Sequence, residues 1–424
     1  MRPLLESLRR GASPDLAVFQ AALGDVLPLL DQLAGTEQEP LWHAEGSVAA
    51  HTSQVLQEAY RVAETAGLDS DTRLTLILAA LLHDIGKPLT TRRSEDLNGQ
   101  TRIISPRHAD RGRSYLAYRL PELELPAGIQ QGIMALVGHH HNLGRTYEAG
   151  TLAAYRRLAR QVDLRLLYLL EQADLRGRIS ADQDSRLEDL ELFRLQAEEY
   201  GLWSGEDPYS GWLALIQGDL NDGSSELTDL TLQQGILDFE AGLIQTPQEA
   251  VARSYPARAG FPELVVTCGP SGSGKSSWIA EQLPDHAVVS LDALRAELAG
   301  KRADQSLNGH VLQEAKERLR SVLRRKGKVV WDATNTRRDF RRVPLGLGFD
   351  YGALTSLVVF QPPVSAVFGR NPGRLHAVPP QVLAQQVENA EFPYLPEAHR
   401  TLLLDEDHRI TGQAGFSLSA VGRL

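Results

Sequence analysis

The stretch Glu263-Leu264-Val265-Val266-Thr267-Cys268-Gly269-Pro270-Ser271-Gly272-Ser273-Gly274-Lys275-Ser276-Ser277-Trp278 decides how the carboxyl-terminal half folds. An apolar run of β type ends at Cys268, a glycine-rich loop follows, and a helical segment begins at Lys275. The loop fits G-x-x-x-x-G-K-[ST] at Gly269, Gly274, Lys275 and Ser276. Glycines let successive N–H groups turn inward onto phosphate oxygens, and the helix start adds its dipole. Residues Gly269 to Ser277 are therefore expected to cradle ATP or another nucleoside triphosphate. Lys275 would reach the β- and γ-phosphates and the Ser276 hydroxyl would hold Mg²⁺.

Working outward, strands and helices alternate. Short strands are expected at His286–Ser290, Lys328–Trp331 and Ala353–Gln361, with a helix from about Leu307 to Arg325. This alternation predicts a parallel, doubly wound α/β sheet. Asp292 falls just past the carboxyl end of a strand, where such sheets place their catalytic groups. Phosphoryl transfer needs a carboxylate to orient the attacking hydroxyl and cations to clamp the moving group. Asp292 is placed for the first role, and Arg370 and Arg374 in the segment Val367–Arg374 for the second. Arg295, one turn past Asp292, can hold the acceptor. Asp332 ends another strand and resembles a Walker-B-like acid, which would reach Mg²⁺ through water. The run Thr336–Arg342 reads either as a phosphate track of arginines or as a solvated helix face.

At 424 residues the chain exceeds one ordinary core. Its composition is that of a soluble globular protein, and its longest apolar run, Leu74–Leu82, is too short to span a bilayer. With no secretory signal read at the N-terminus and Cys268 as the single cysteine, a cytoplasmic protein is expected. Cys268 reads as core packing. The net charge of −10 looks wrong for a nucleic-acid enzyme, but residues 184–257 carry 3 basic against 15 acidic side chains, and residues from Arg258 onward carry 21 against 17. The local field near the phosphate-binding loop is thus mildly basic. Three segments are expected: an all-α metal-dependent unit at 1–183, an acidic helical connector at 184–257 whose charge is a solvated face, and the α/β domain at 258–424.

The second centre of chemistry is His83-Asp84, at the end of the apolar helix Leu74–Leu82 and before the stop Gly86-Lys87-Pro88. Its company gives it force: His51 on the preceding helix, His108 opening another, His139-His140-His141 ending a third, and Asp174 after the apolar run Leu164–Leu170. Imidazoles and carboxylates on separate helices suit Mn, Fe, Co, Ni or Zn, with positions left for water.

As an ordered set these residues resemble the HD-domain metal phosphohydrolases. The segments His43-x-Glu45-Gly-Ser-Val-x-x-His51 and Ala173-Asp174-x-x-Gly177-Arg178 look most like the HD domain of bacterial tRNA nucleotidyltransferases. The resemblance implies a core metal site of His51, His83, Asp84 and Asp174, with His108 and His139 completing a second site. His140 is the alternative or helper to His139, because the triple histidine leaves the register open; His43 would lie at the surface or behind the ligands. In the carboxyl-terminal half, the loop, the D-x-x-R of Asp292 and Arg295, and the R-N-x-x-R of Arg370 and Arg374 resemble the 5′-OH polynucleotide kinases. The whole is similar to the bacterial HD–polynucleotide kinase end-healing family. That resemblance implies Asp292 as general base, Arg295 on the 3′-phosphate of the terminal nucleoside, and Lys275, Arg370 and Arg374 on the transition state. It further implies ATP with Mg²⁺ for the kinase, a transition metal (Mn, Co, Ni, Fe or Cu) for the HD domain, RNA or DNA ends as partners, and a separate polynucleotide ligase. No membrane partner is expected, and a homodimer is admitted. A small-molecule or nucleoside kinase fused to an HD nucleotide phosphohydrolase stays open beside it. A non-enzymatic RNA-binding role is disfavoured by the intact motifs on both sides.

Overall fold

Side-chain N-caps start the helices that carry His51 and Asp174. The Ser47 hydroxyl accepts from the Ala50 amide at 3.2 Å to open the helix Val48–Thr65, and Asp163 accepts from Leu166 at 3.0 Å to open Leu164–Arg176. The helix Ser70–Leu82 is apolar all round from Leu74 onward, and its neighbours bury it on every side. It packs on Val48–Thr65 and on Ala127–His139, while Val48–Thr65 also packs on Leu164–Arg176. The structure, a computed structural model, describes residues 1–96, 98–220, 223–299, 308–373 and 377–417. These fall into two compact units, Met1–Pro208 and Tyr209–Leu424.

Helices dominate the first unit, which also carries a hairpin of β1 (Arg92–Glu95) and β2 (Thr101–Ile104), a feature not foreseen. Gly86 has a packing reason. A Cβ there would lie 2.1 Å from the His108 carbonyl oxygen and 2.6 Å from the Gly112 nitrogen. Only glycine lets the turn after His83-Asp84 touch the start of the helix His108–Ala117.

The second unit holds a six-stranded sheet of order β4-β5-β3-β6-β7-β8. Its strands are β3 (Glu263–Cys268), β4 (Ala287–Ser290), β5 (Lys328–Asp332), β6 (Leu354–Phe360), β7 (Arg400–Leu404) and β8 (Ile410–Ala414). All neighbours run parallel except β7 and β8. The expected parallel α/β sheet is present, with an antiparallel edge. Central β3 and β6 are buried almost throughout, as both-face coverage by helices requires. Cys268 is buried at the end of β3. Among the described residues no helix is long and apolar enough to cross a membrane.

The acidic stretch 184–257 is divided between the units. The helix Gln183–Glu199 packs on Leu164–Arg176 in the first; Ser210–Leu220, Ser225–Glu240 and Pro247–Arg253 lie in the second. Nor is all of its charge solvated. Asp229, Asp238 and Glu240 are buried, paired respectively with Arg400, Arg253 and the Tyr209 hydroxyl. Asp229 Oδ2 lies 2.6 Å from Arg400 Nε, and its Oδ1 accepts from the Ser417 amide at 2.6 Å. Removing one partner of such a pair leaves a buried charge alone, which costs about 3–5 kcal/mol. Asp229→Ala is expected to lower stability by that order in chemical denaturation followed by tryptophan fluorescence. A double replacement by apolar residues of similar size is expected to recover most of it. A loss well under ~1 kcal/mol for the single variant would contradict a structural role for the pair.

Candidate active sites

In the first unit five helices deliver imidazoles and carboxylates to one point. His51 Nε2 lies 2.8 Å from Asp174 Oδ1 and 3.3 Å from His83 Nε2. Asp84 reaches in both directions, with Oδ2 3.3 Å from His83 Nε2 and Oδ1 3.2 Å from His108 Nε2. Beyond it, His108 Nε2 is 3.2 Å from His140 Nε2 and 3.0 Å from His141 Nε2. His51, His83 and Asp174 thus form one cluster, His108, His140 and His141 another, and the Asp84 carboxylate touches both.

Backbone carbonyls fix the tautomers. His83 Nδ1 donates to Ala80 O at 2.8 Å, His108 Nδ1 to Ser105 O at 2.8 Å and His140 Nδ1 to Val137 O at 2.7 Å. A carbonyl can only accept, so each Nδ1 carries the proton and each Nε2 presents a lone pair to the cluster. Burial, then the neighbouring imidazoles, hold His140 well below the usual histidine range, and the same packing lowers His141, whose outer side is exposed, so both are neutral near pH 7. Burial would likewise discharge His51, but Asp174 and Glu45 outweigh it and push that ring up to about 9. Burial would protonate Asp84 and Asp174 as well, yet Lys87 and His83 hold the first, and Arg178 and His51 the second, well below the carboxylate range.

These residues fit a metal ion. Metal–nitrogen bonds of about 2.0–2.1 Å place two ligands of one ion about 3.0–3.4 Å apart, the spacing seen here between Nε2 atoms. The buried Asp84 Oδ2 and Asp174 Oδ1 have no aligned hydrogen-bond donor. Lys87 Nζ and His51 Nε2 approach them at 2.7 and 2.8 Å. His140 and His141 are neutral and Asp84 and Asp174 ionised, the states that ligation demands, whereas the charged His51 would have to release its proton on binding an ion.

Of the residues expected at this site, His51, His83, Asp84, His108 and Asp174 meet; His139 does not. Its Nδ1 takes Asn142 Nδ2 at 2.8 Å, and its ring lies by Arg113. Successive helical residues point about 100° apart, and the register turns His140 inward. His43 lies behind the ligands as expected: its Nδ1 is 2.8 Å from Glu45 Oε1, which also meets His51 Nδ1 at 3.0 Å. The sequence did not single out His141, Lys87 or Arg178. Lys87 and Arg178 line a cleft of about 380 Å³ that opens onto Asp84 and Asp174.

In the second unit the loop curls as its glycines allow. Gly272 and Gly274 have φ of 85° and 94°, a region closed to most side chains. The residues from Gly269 to Ser277 run from β3 into the helix Lys275–Gln282. Lys275 Nζ donates to the Gly269 and Pro270 carbonyls at 2.9 and 2.8 Å. The Ser271 amide donates to Gln386 Oε1 at 2.9 Å. At the carboxyl end of β5, burial pushes the Asp332 carboxyl up while Lys275 and the nearby Ser290 and Ser276 hydroxyls oppose the shift. Ser276 and Asp332 make a pair of hard oxygen donors, which fits Mg²⁺.

Asp292 opens the helix Leu291–Ala299 straight after β4 and is ion-paired with Arg295. Since Ser290 is in register with Asp332, the Asp292 carboxylate stands at the same sheet edge as the loop. Arg370 ends the helix Val364–Arg370 and donates to the Glu406 carbonyl at 2.8 Å. Arg374 lies outside the described residues. The arginine run is not a uniform track. Arg341 is fully buried and pairs with Glu397 through Nε at 2.7 Å and Nη2 at 3.0 Å, so it is structural. Sequence reading also passed over His408, whose ring Nε2 would lie 2.2 Å from a Cβ on Gly274 and so seals that side of the loop.

Comparison with known families agrees with this division. The family model described as HD domain matches residues 48–185, and the one described as AAA domain matches residues 264–393. No curated protein matches the chain. An HD domain implies a divalent metal, and a phosphate-binding loop of this kind implies nucleotide binding. The chain carries an HD phosphohydrolase domain fused to a P-loop kinase-like domain.

Proposed function

We propose that the protein heals broken nucleic-acid ends, phosphorylating 5′-OH termini with ATP and removing 2′,3′-cyclic, 2′- or 3′-phosphates. The observation that carries this reading is the Asp292–Arg295 pair at the sheet edge shared with Asp332 and the loop. It supplies, three residues apart, a base for an attacking hydroxyl and a cation for a phosphate beside it. Asp292 would take the 5′-OH proton, Arg295 would hold the adjoining 3′-phosphate, and Lys275 and Arg370 would face the charge on the transferred group. In the HD domain, Lys87 and Arg178 would hold the phosphoryl oxygens at the cleft floor. A divalent ion bound there would supply Lewis acidity and lower the pKa of a water. Sealing would fall to a separate polynucleotide ligase.

One incubation tests both halves: a 5′-OH, 3′-phosphate oligonucleotide with ATP, Mg²⁺ and a panel of transition metals. The expected product carries 5′-phosphate and 3′-OH. Equal phosphorylation of a free nucleoside and the oligonucleotide would instead favour a small-molecule kinase.

Arg295 gives a sharper test. A charge-assisted bond to phosphate contributes roughly 1.5–3 kcal/mol, so Arg295→Ala is expected to weaken binding of polynucleotide 5′-OH ends by about tenfold or somewhat more. A nucleoside lacking the 3′-phosphate is expected to show little change. If that acceptor slows equally, Arg295 does not read the phosphate.

A further inference from the structure

Trp42 stands out among the exposed apolar residues of the first unit. It is 52% exposed, yet it lines the cleft that leads to Asp84 and Asp174. Isolated exposed apolar residues are ordinary on protein surfaces. Trp42 differs in being held. Its amide and that of His43 donate to the Glu39 carbonyl at 3.1 and 3.0 Å, and the Ala44 amide donates to Ile179 O at 3.1 Å. Glu45 accepts from the Ile179 amide at 3.1 Å, and Gln38 accepts from Lys87 at 2.6 Å. A second segment lining the cleft is tied to the same turn, since Glu39 Oε2 accepts from the Ile103 amide at 2.9 Å. That segment brings Ile103, Ile104 and Pro106 to the cleft lining. The link to the ligand cluster is short: the ring of His43 meets that of His51 edge-on at 4.8 Å.

An indole on an anchored turn and the apolar Ile103, Ile104 and Pro106 therefore line a cleft that also holds Lys87, Arg178 and the buried carboxylates Asp84 and Asp174. At about 380 Å³ the cleft lies at the small end of ligand sites and suits one nucleotide unit, not a duplex. Every nucleobase has a π-face, so an indole set here accepts any base at little entropic cost. Resting on the end-healing reading, we infer that Trp42 is the base platform of the HD site. It would stack the nucleobase of the terminal nucleotide while that nucleotide's phosphate lies on the cleft floor, making the site selective for nucleoside phosphates over simple phosphate esters.

The test uses the full chain in two ways. In steady state with a transition metal, Trp42→Ala is expected to raise KM for nucleoside 3′-phosphates by roughly five- to a hundredfold. KM for glycerol 2-phosphate should be unchanged, and Trp42→Phe should recover most of the loss. In metal-free protein, nucleoside 3′-phosphate should quench the part of the tryptophan emission that Trp42→Phe removes. Equal KM increases for both esters, or absence of quenching in that difference signal, would overturn the inference. Quenching without hydrolysis of any ester would retain the platform and sink the phosphoesterase reading instead.

Discussion

Lys275→Ala and Asp292→Ala are each expected to abolish 5′-end phosphorylation and leave 3′-end dephosphorylation nearly intact. Lys275 sits on the loop and Asp292 at the β4 edge, both in the second unit, whereas every residue of the metal clusters lies in the first. Loss of a positioned base or of a phosphate-facing cation costs on the order of 10²-fold or more in rate. The two variants should differ in binding. Lys275→Ala removes a cation that ATP would meet, so nucleotide affinity should fall with the rate. Asp292→Ala removes a group that waits for the acceptor, so ATP should still bind. Single-turnover assays of both activities on one doubly tagged oligonucleotide, with ATP binding by calorimetry, check this. Equal loss of both activities in a folded variant would argue against two independent sites.

Asp84→Ala is expected to remove the phosphoesterase and spare the kinase. Its carboxylate reaches a histidine of each cluster, so its loss strips the shared carboxylate and removes the carboxylate partner of Lys87 at 2.7 Å. The fall in rate should exceed 10²-fold, with loss of bound transition metal in elemental analysis. The metal requirements of the two activities should also separate. Mixed imidazole and carboxylate ligands favour Mn²⁺, Co²⁺ or Ni²⁺ over Mg²⁺, whereas the Ser276 and Asp332 oxygens suit Mg²⁺. Mg²⁺ alone should support phosphorylation and little dephosphorylation. Within the triple histidine, His140→Ala should lower metal content and His139→Ala should not. Full 3′-end activity in metal-stripped protein given only Mg²⁺ would defeat the metal assignment.

Much of both sites was legible because the chemistry is local. The loop is one contiguous segment, and its flanking strand and helix follow from short-range pattern. His51, His83, Asp84, His108 and Asp174 each sit on or just past a helix whose start, stop or apolar face could be read. What escaped was set by tertiary contact. Adjacent histidines differ only by rotation about a helix axis, so the choice of His140 and His141 over His139 needed the packing of Ala127–His139. Trp42, Lys87 and Arg178 meet at one cleft from distant parts of the chain. β7 is a run of leucines that suits a helix as well as a strand, and β8 lacks alternation. The acidic stretch misled most. Counting charge reports hydration on average and says nothing of which acid, such as Asp229, faces inward.

That inward acid fixes where the kinase-like unit begins as a physical object. The helix Ser225–Glu240 is tied to β7 by the Asp229–Arg400 pair, and Gln234 Oε1 accepts from His399 Nε2 at 3.0 Å. A fragment cut at residue 258, where composition changes, would keep Arg400 and His399 and discard what satisfies them. A fragment starting at Tyr209 keeps the clasp. The helices before the sheet thus belong to its inheritance. Any recombination, truncation or transplant of the kinase-like unit has to carry them along, or it moves a sheet with an open flank.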